Sequence, residues 1–179
     1  MSKVKIEGNA SGTGTLTISA PNTNTDRTLT LPDKAGEIVC GEGSVLQVVQ
    51  GSTTTNISST SSYVDTGLSA SITPSSTSSK ILIIVQQQGC KCAGMNTGDI
   101  NIKLQRGTTD IYKFALGYWY SQTTNEFRGG ISGTYLDSPS TTSSTTYKTV
   151  FKANDGGTSY VQNDGANTVS TITLMEIAG

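Results

Sequence analysis

Short runs of alternating apolar and polar residues recur along this chain, separated by turn-forming residues. The clearest are "KILIIVQQQ" at 80–88 and "DINIKLQRG" at 99–107. In the second run, Ile100, Ile102 and Leu104 are predicted to face together, because successive side chains of a strand point to opposite sides. About eight such runs follow residue 44, and none has the 3.6-residue period of a helix. Parallel strands need crossover connections, usually helices, so the pattern predicts an antiparallel β-sandwich or jelly roll.

Composition supports this fold class. Ser and Thr together make up about 29% of the 179 residues, and there are 20 glycines. Thr, Val, Ile and Tyr favour strands, whereas Gly, Asn, Asp and Ser favour the turns between them. A low-complexity disordered chain is the alternative interpretation. We favour a folded domain, because the alternation persists almost to the C-terminus.

Charge and hydropathy argue against two classes of partner. The formal net charge is −1, and 14% of the residues are charged. Such a chain has no electrostatic reason to bind nucleic acid or an anionic membrane surface. The longest apolar run, "ILIIV", is far shorter than the roughly 20 residues of a membrane helix, and we see no signal peptide. We therefore expect neither nucleic-acid nor membrane binding.

The residues that commonly carry catalysis or bind metals are sparse. The chain has no histidine, which removes the commonest general base and the histidine-dependent nucleophilic systems. The chain has three cysteines, Cys40, Cys90 and Cys92, and an odd number argues against a disulfide framework. A metal site would usually need a fourth ligand beside them, and there is no histidine to supply it. We interpret them as buried free thiols. The sequence predicts no enzyme, no metal and no cofactor.

Carboxylates leave one catalytic alternative open. A glycosidase needs a pair of them about 5 to 9 Å apart. Most of the candidates stand in turn-like contexts, where aspartate commonly serves turn geometry. We therefore keep a glycan-degrading protein only as a minor alternative. The candidates are Asp99, Asp110, Glu126, Asp137, Asp155 and Asp164.

The densest aromatic cluster is "YWY", formed by Tyr118, Trp119 and Tyr120. On a strand, the two tyrosines would lie on one face and the tryptophan on the other. The cluster could pack in the core or in a subunit interface, or it could form a platform for a sugar. The sequence leaves these interpretations open.

The N-terminal part of the chain differs from the rest. "TLTIS" and "RTLTLP" flank the turn-like "APNTNTD", which predicts a threonine-faced β-hairpin. An isolated two-stranded hairpin is marginal in water, and this one has little apolar surface to bury. We therefore divide the chain into an attachment segment, 1–43, which is completed by a partner, and a sandwich domain, 44–179.

This segment resembles an N-terminal motif of structural proteins of tailed bacteriophages, especially marine and cyanobacterial phages. The pattern is "T(I/L)T-x-P-N-x-N-x-(D/N)-RT(L/I)TLPD-x-x-G" over about 25 residues. "YVDTGLSASITPSSTSSKILI", which begins at Tyr63, is similar to phage fibre material. The C-terminal region is similar to small trimeric jelly rolls of the tumour-necrosis-factor-like kind. The residues that match the motif are Thr17, Pro21, Asn22, Asn24, Asp26, Arg27, Thr28, Leu29, Thr30, Leu31, Pro32, Asp33 and Gly36.

The resemblance implies a virion surface protein, such as a short fibre, a spike or a capsid decoration protein. Its partners would be other capsid or tail proteins and two further copies of itself in a homotrimer. A glycan or protein of the host surface is a further possible partner, and a carbohydrate-binding receptor tip is the alternative function. The residues expected to anchor the chain to the particle are Leu16, Ile18, Asn22, Asn24, Arg27, Leu29 and Leu31.

Overall fold

The computed structural model describes most of the predicted sandwich domain and a few positions before it. The described residues are 11–15, 17, 24, 26, 28, 42–93, 99–118, 127–154, 157–165 and 168–179. Within these ranges all regular structure is β-strand. In chain order, the ten strands are β1 (Val45–Thr53), β2 (Ile57–Ser59), β3 (Val64–Ile72), β4 (Lys80–Ala93), β5 (Ile100–Arg106), β6 (Thr109–Tyr118), β7 (Phe127–Asp137), β8 (Thr145–Ala153), β9 (Thr158–Val161) and β10 (Ser170–Ile177).

The strands form two antiparallel sheets that pack as a sandwich. Sheet A has the order β1-β10-β4-β9-β2, and β7 pairs with the other edge of β4. Sheet B has the order β3-β8-β5-β6. The predicted fold class, an all-β chain with an antiparallel sandwich, is confirmed. The predicted hairpin anchor falls mostly outside the described residues.

Two apolar clusters fill the space between the sheets. The first joins Leu68 and Ile72 of β3 to the first half of β4 and to β10. The second joins the end of β4 to β5, where Ile100 and Ile102 are fully buried, as the alternation predicts. Strand β4 is 14 residues long, so one strand contributes side chains to both clusters of the core.

The structure contains strands that the alternation pattern did not predict, and one predicted strand is longer than expected. Residues 53–63, "TTTNISSTSSY", contain the edge strand β2. Strand β3 was not among the runs predicted as strands, although Leu68, Ala70 and Ile72 alternate with serines and are buried. Strand β4 continues past Gln88 to Ala93, because a β-bulge between Gln87 and Cys90 absorbs Gly89.

By its contacts the chain divides into two units, Met1–Glu37 and Ile38–Gly179. The second unit contains the sandwich, and Gly43 and Ser44 join it through hydrogen bonds to Ala178 at the C-terminus. The functional division into an attachment segment and a displayed domain stays a prediction. Among the described residues, no helix is long and apolar enough to cross a membrane.

Candidate functional site

Most residues of the predicted attachment and platform sites fall outside the described ranges. Among the attachment residues only Asn24 is described, and it is exposed. Tyr118 is the last residue of β6, opposite Ile100 on β5. The two sites stay predictions. The predicted site residues outside the described part of the chain are Leu16, Ile18, Asn22, Arg27, Leu29, Leu31, Trp119 and Tyr120.

The described part offers a different candidate, on the outer side of sheet A. Val48 on β1 lies opposite Met175 on β10, which lies opposite Leu82 on β4, which lies opposite Leu136 on β7. These side chains point away from the core, because their strand neighbours point into it. Val48 is 56% exposed and Leu136 is 49% exposed. One row of apolar side chains therefore crosses four strands on the solvent side.

Further apolar side chains extend this row in both directions. Val45 lies opposite Ile177, and Leu46 stands beside them at a bulge in β1. On the other side, Ile84 follows Leu82 at the next outward position of β4. We call these residues, together with the four of the row, the apolar face of sheet A. Side chains in the next row, such as Gln50 and Thr173, are polar but uncharged.

The outer side of sheet B has the opposite character. Lys103 Nζ lies 2.7 Å from Asp110 and 3.7 Å from the centre of the Tyr63 ring. Lys148 Nζ lies 2.9 Å from Asp65 on the neighbouring strand. These exposed ion pairs contribute little stability but keep that surface well hydrated. The sandwich thus presents one charged face and one apolar face.

The outer surface of sheet A that contains the apolar face is large enough for an interface. Its four strands, about 4.8 Å apart and each about eight residues long at about 3.3 Å per residue, cover roughly 500 Å², and the apolar face is a part of this area. Burial of such a surface on each of two contacting subunits would remove roughly 1,000 Å² from water, the lower bound for a specific protein interface. The burial stabilises association by about 25 cal/mol per Å² of apolar surface before the entropic cost of association.

A buried carboxylate holds the strands that carry this face. Glu176 of β10 points into the protein and is fully buried. Gln47 Nε2 donates to its Oε2 at 2.6 Å, and both the backbone N and the Oγ of Ser75 donate to its Oε1 at 2.7 Å. Burial alone would raise the pKa of Glu176, but the hydrogen bonds outweigh it and lower the pKa to about 2. The ionised carboxylate therefore ties β10 to β1 and to the segment before β4.

A second polar contact joins the two sheets at Asp137, where β7 ends. Arg106 Nη1 donates to both Asp137 oxygens, at 3.2 and 2.9 Å, and the Tyr147 hydroxyl donates to Oδ2 at 2.7 Å. Burial, and then the hydrogen bond to Asp137, raise the pKa of Tyr147. We expected Asp137 to serve turn geometry. Instead it links strands of opposite sheets.

Neutral polar groups cross the centre of the core between the two apolar clusters. Thr149 Oγ1 lies 2.5 Å from Thr66 Oγ1 and donates to Gln87 Oε1 at 2.9 Å. Gln87 Nε2 donates to Ser170 Oγ at 3.2 Å, and the Gln162 amide lies 2.8 Å from the same oxygen whichever way it is turned. All five side chains are buried. A buried network of this kind fixes the register of strands from both sheets.

The described cysteines behave as structural thiols. Cys90 and Cys92 are buried and form no disulfide, as we expected, and Cys40 lies outside the described residues. Burial, with a smaller contribution from Cys92, raises the pKa of Cys90 to about 12. A protonated thiol is a poor nucleophile. Within the described ranges, no three cysteine, histidine, aspartate or glutamate side chains come together as metal ligands do.

The sequence contained an unused signal for the apolar face. In "ILIIV" the side chains on both sides of the strand are apolar, and such a strand is typically covered on both sides. In "TLMEI" near the C-terminus, Met175 and Ile177 are likewise apolar in the outward period. The alternative signal, strict alternation with a polar outer side, fits β3 and β5 better.

Comparisons with known proteins give a distant structural likeness. No protein-family model matches the chain, and no curated protein sequence matches it. Among solved structures, the chain is similar to one titled "Crystal structure of infectious bursal disease virus VP2 subviral particle", with a TM-score of 0.46 and 12% identity. The match covers 76% of this chain and 34% of that chain, so this chain spans about a third of its length.

Proposed function

We propose that the chain is a virion structural protein that forms a homotrimer through the apolar face of sheet A. The observation that carries this proposal is the row of Val48, Met175, Leu82 and Leu136 on the solvent side of four strands. A single chain leaves Val48 and Leu136 exposed and Met175 and Leu82 partly exposed, and contact with another subunit would bury them.

A second copy of the chain suits this face. Between Lys80 and Gln86, the outward side chains of β4 and of the residues paired with them carry one charge, on Lys80. Three such surfaces around a threefold axis therefore meet with little electrostatic repulsion and without burying unpaired carboxylates. Closed rotational symmetry lets each subunit bury what it cannot bury alone. The trimeric state and the virion location derive from the resemblance of the sequence to phage fibre proteins.

The attachment segment supplies the second half of the proposal. Residues 1–43 would join the particle by adding their strands to a partner's sheet edge, which supplies the missing backbone hydrogen bonds. Leu16, Ile18, Leu29 and Leu31 would pack against the partner. Arg27 would pair with a partner carboxylate or carbonyl, and Asn22 and Asn24 would shape the turn.

Removing residues 1–43 tests this half. We expect a folded, soluble sandwich, because the described core clusters lie after residue 43, and we expect it to be absent from purified particles. Circular dichroism and mass spectrometry of the particles measure the two outcomes. The full-length chain expressed in parallel is the control. A truncated chain that enters particles at the full-length copy number would overturn the attachment role.

A further inference from the structure

The outer side of sheet A continues past the apolar face as two rows of neutral polar side chains. In the first row Gln50 lies opposite Thr173, and Thr134 of β7 lies on the far side of Ile84. The second row stands at the next outward position of each strand and has no apolar member. Its residues are Ser52, Thr171, Gln86 and Ser132. We call the polar residues of both rows the neutral rows.

The neutral rows carry no charge, although most of their side chains are exposed in a single chain. At outward positions sheet B carries ions, among them Lys103 and Lys148 with their carboxylate partners. Along β4 the charged residues are Lys80 and Lys91, which stand near the two ends of the strand. A region depleted of charge, with charged residues at its border, is typical of the core of a protein interface.

The apolar face is too small to be the whole of a specific contact. It occupies about half of the outer surface of sheet A, which covers roughly 500 Å². Two copies that touched through that half alone would bury roughly 500 Å² between them, well below the roughly 1,000 Å² of a specific interface. The buried area reaches this bound when the neutral rows are included. A specific contact through this side of the sheet therefore includes them.

Two glutamines of the neutral rows can offer hydrogen-bonding groups to a neighbour. Ser132 Oγ donates to Gln86 Oε1 at 2.7 Å, and Gln50 Nε2 donates to Thr173 Oγ1 at 3.0 Å. A primary amide has two N–H donors and a carbonyl acceptor, so each glutamine keeps groups that its partner in the same chain does not use. In a contact between subunits these groups have to meet polar groups of the neighbour, because an unpaired buried group weakens association.

We propose that the neutral rows are the second half of the contact between copies of this chain, and that Gln50 and Gln86 fix the alignment of the copies. The inference rests on the proposed self-association through the apolar face, and it names what makes that contact specific. Apolar packing is not directional, so Val48 and Leu136 could meet a neighbour in several alignments. Hydrogen bonds are directional, and a polar side chain within an apolar contact favours the alignments in which it finds a partner.

A further copy of the chain is the occupant that this surface fits. Each copy brings the same amides and hydroxyls, which can donate to and accept from one another. A charged partner would bury its ions against side chains that carry no opposite charge, at a large cost in desolvation. The neutral rows also adjoin the apolar face on the same strands, so a copy that covers Ile84 lies over Thr134 and Thr173 as well.

Gln86→Glu in the full chain tests whether this side chain is buried between copies. The substitution keeps the shape of the side chain and replaces the amide nitrogen with a carboxylate oxygen. At about pH 7.5 we expect the trimer to dissociate at a protein concentration about tenfold or more above that of the wild type, because association buries the charge. Association of the variant should strengthen as the pH falls to about 5, because burial favours the neutral acid, which can donate a hydrogen bond as the amide does. Sedimentation equilibrium at both pH values measures the effect.

Ser69→Glu is the matched control. It adds a carboxylate to the outer side of sheet B, opposite Lys148, and it should leave the trimer unchanged at both pH values. Gln50→Glu makes the same substitution as Gln86→Glu at the other glutamine, and it gives a second measure if circular dichroism shows that Gln86→Glu does not fold.

Three results would overturn the inference. The first is that both glutamate variants of the neutral rows form trimers as tight as those of the wild type. The second is that Ser69→Glu weakens the trimer as much as they do, and the third is that the weakening is the same at both pH values. In each case a trimer that Met175→Lys disrupts leaves self-association through the apolar face standing, whereas a monomeric wild type overturns both proposals.

Discussion

At the scale of single residues, Glu176 shows how a buried charge can organise a surface that it does not belong to. Its carboxylate accepts hydrogen bonds from Gln47 of β1 and from Ser75 before β4. Its neighbours Met175 and Ile177 point outward onto the apolar face. A buried ion without such donors would be strongly destabilising. The positions of the apolar side chains therefore depend on an acid on the inner side of the same strand.

Stability should fall in acid because of this residue. Its folded pKa of about 2 lies below the ordinary value of 4.5, so the ionised form contributes stability above pH 4.5. That contribution is lost as the pH falls from 4.5 toward 2. We expect Glu176→Gln to lower the free energy of unfolding at pH 7 by about 1–3 kcal/mol. It should also make stability less dependent on pH in this window.

Urea unfolding at pH 7 and pH 3 measures both effects. Glu42→Gln makes the same substitution at an exposed glutamate and should change neither value. An acid-induced loss of stability in Glu176→Gln that equals the loss in the wild type would show that other groups cause it.

Residue roles of this kind were largely beyond prediction from the sequence. The partners of Glu176 and Asp137 are far away along the chain, so no local motif marks them: Gln47 lies 129 positions before Glu176, and Arg106 lies 31 positions before Asp137. Aspartate before Ser-Pro is typical of a turn, and Asp137 follows that pattern in sequence only. The buried network around Gln87 was hidden for the same reason.

At the scale of elements, the close packing of the edge strand β1 against sheet B depends on Gly51. A Cβ atom there would overlap the backbone carbonyl of Ser69 in β3, which belongs to the opposite sheet. Backbone cannot move aside as a flexible side chain can. Glycine is therefore required where the edge strand of sheet A approaches sheet B.

We expect Gly51→Ala to destabilise the domain by about 1–3 kcal/mol or more, as overpacking does. Ser52→Ala, at the next and outward position of β1, is the control and should stay within about 0.5 kcal/mol of the wild type. Urea unfolding of the two variants measures the difference. Equal stability of the two would mean that β1 is not held closely against β3.

Elements with regular alternation were predicted well, and those without it were not. Strand β5 follows its alternation from Ile100 to Leu104, and all three apolar residues are buried. Strand β2 has three residues and a single apolar side chain, so its pairing with β9 comes from tertiary contacts. The extension of β4 beyond Gln88 depends on a bulge that no propensity marks.

At the scale of the whole molecule, the two outer surfaces of the sandwich differ in character. Sheet B presents ion pairs such as Lys148 with Asp65, and sheet A presents the apolar face. The sequence predicted the sandwich, but it offered a subunit interface only as one of several interpretations of the "YWY" cluster and did not point to sheet A. The apolar run of β4 is visible in the sequence. Which neighbouring strands lie beside it and widen the apolar surface is not.

Sedimentation velocity of the full-length chain, with and without Met175→Lys, tests whether the chain associates with itself through sheet A. Lysine is unbranched like methionine and one atom longer, and it places a charge at the middle of the apolar row. We predict three copies of the 18.7-kDa chain for the wild type, and a folded monomer for Met175→Lys. Ser71→Lys, on the outer side of sheet B, should remain a trimer. A monomeric wild type, or a Met175→Lys variant of unchanged mass, would contradict self-association through sheet A.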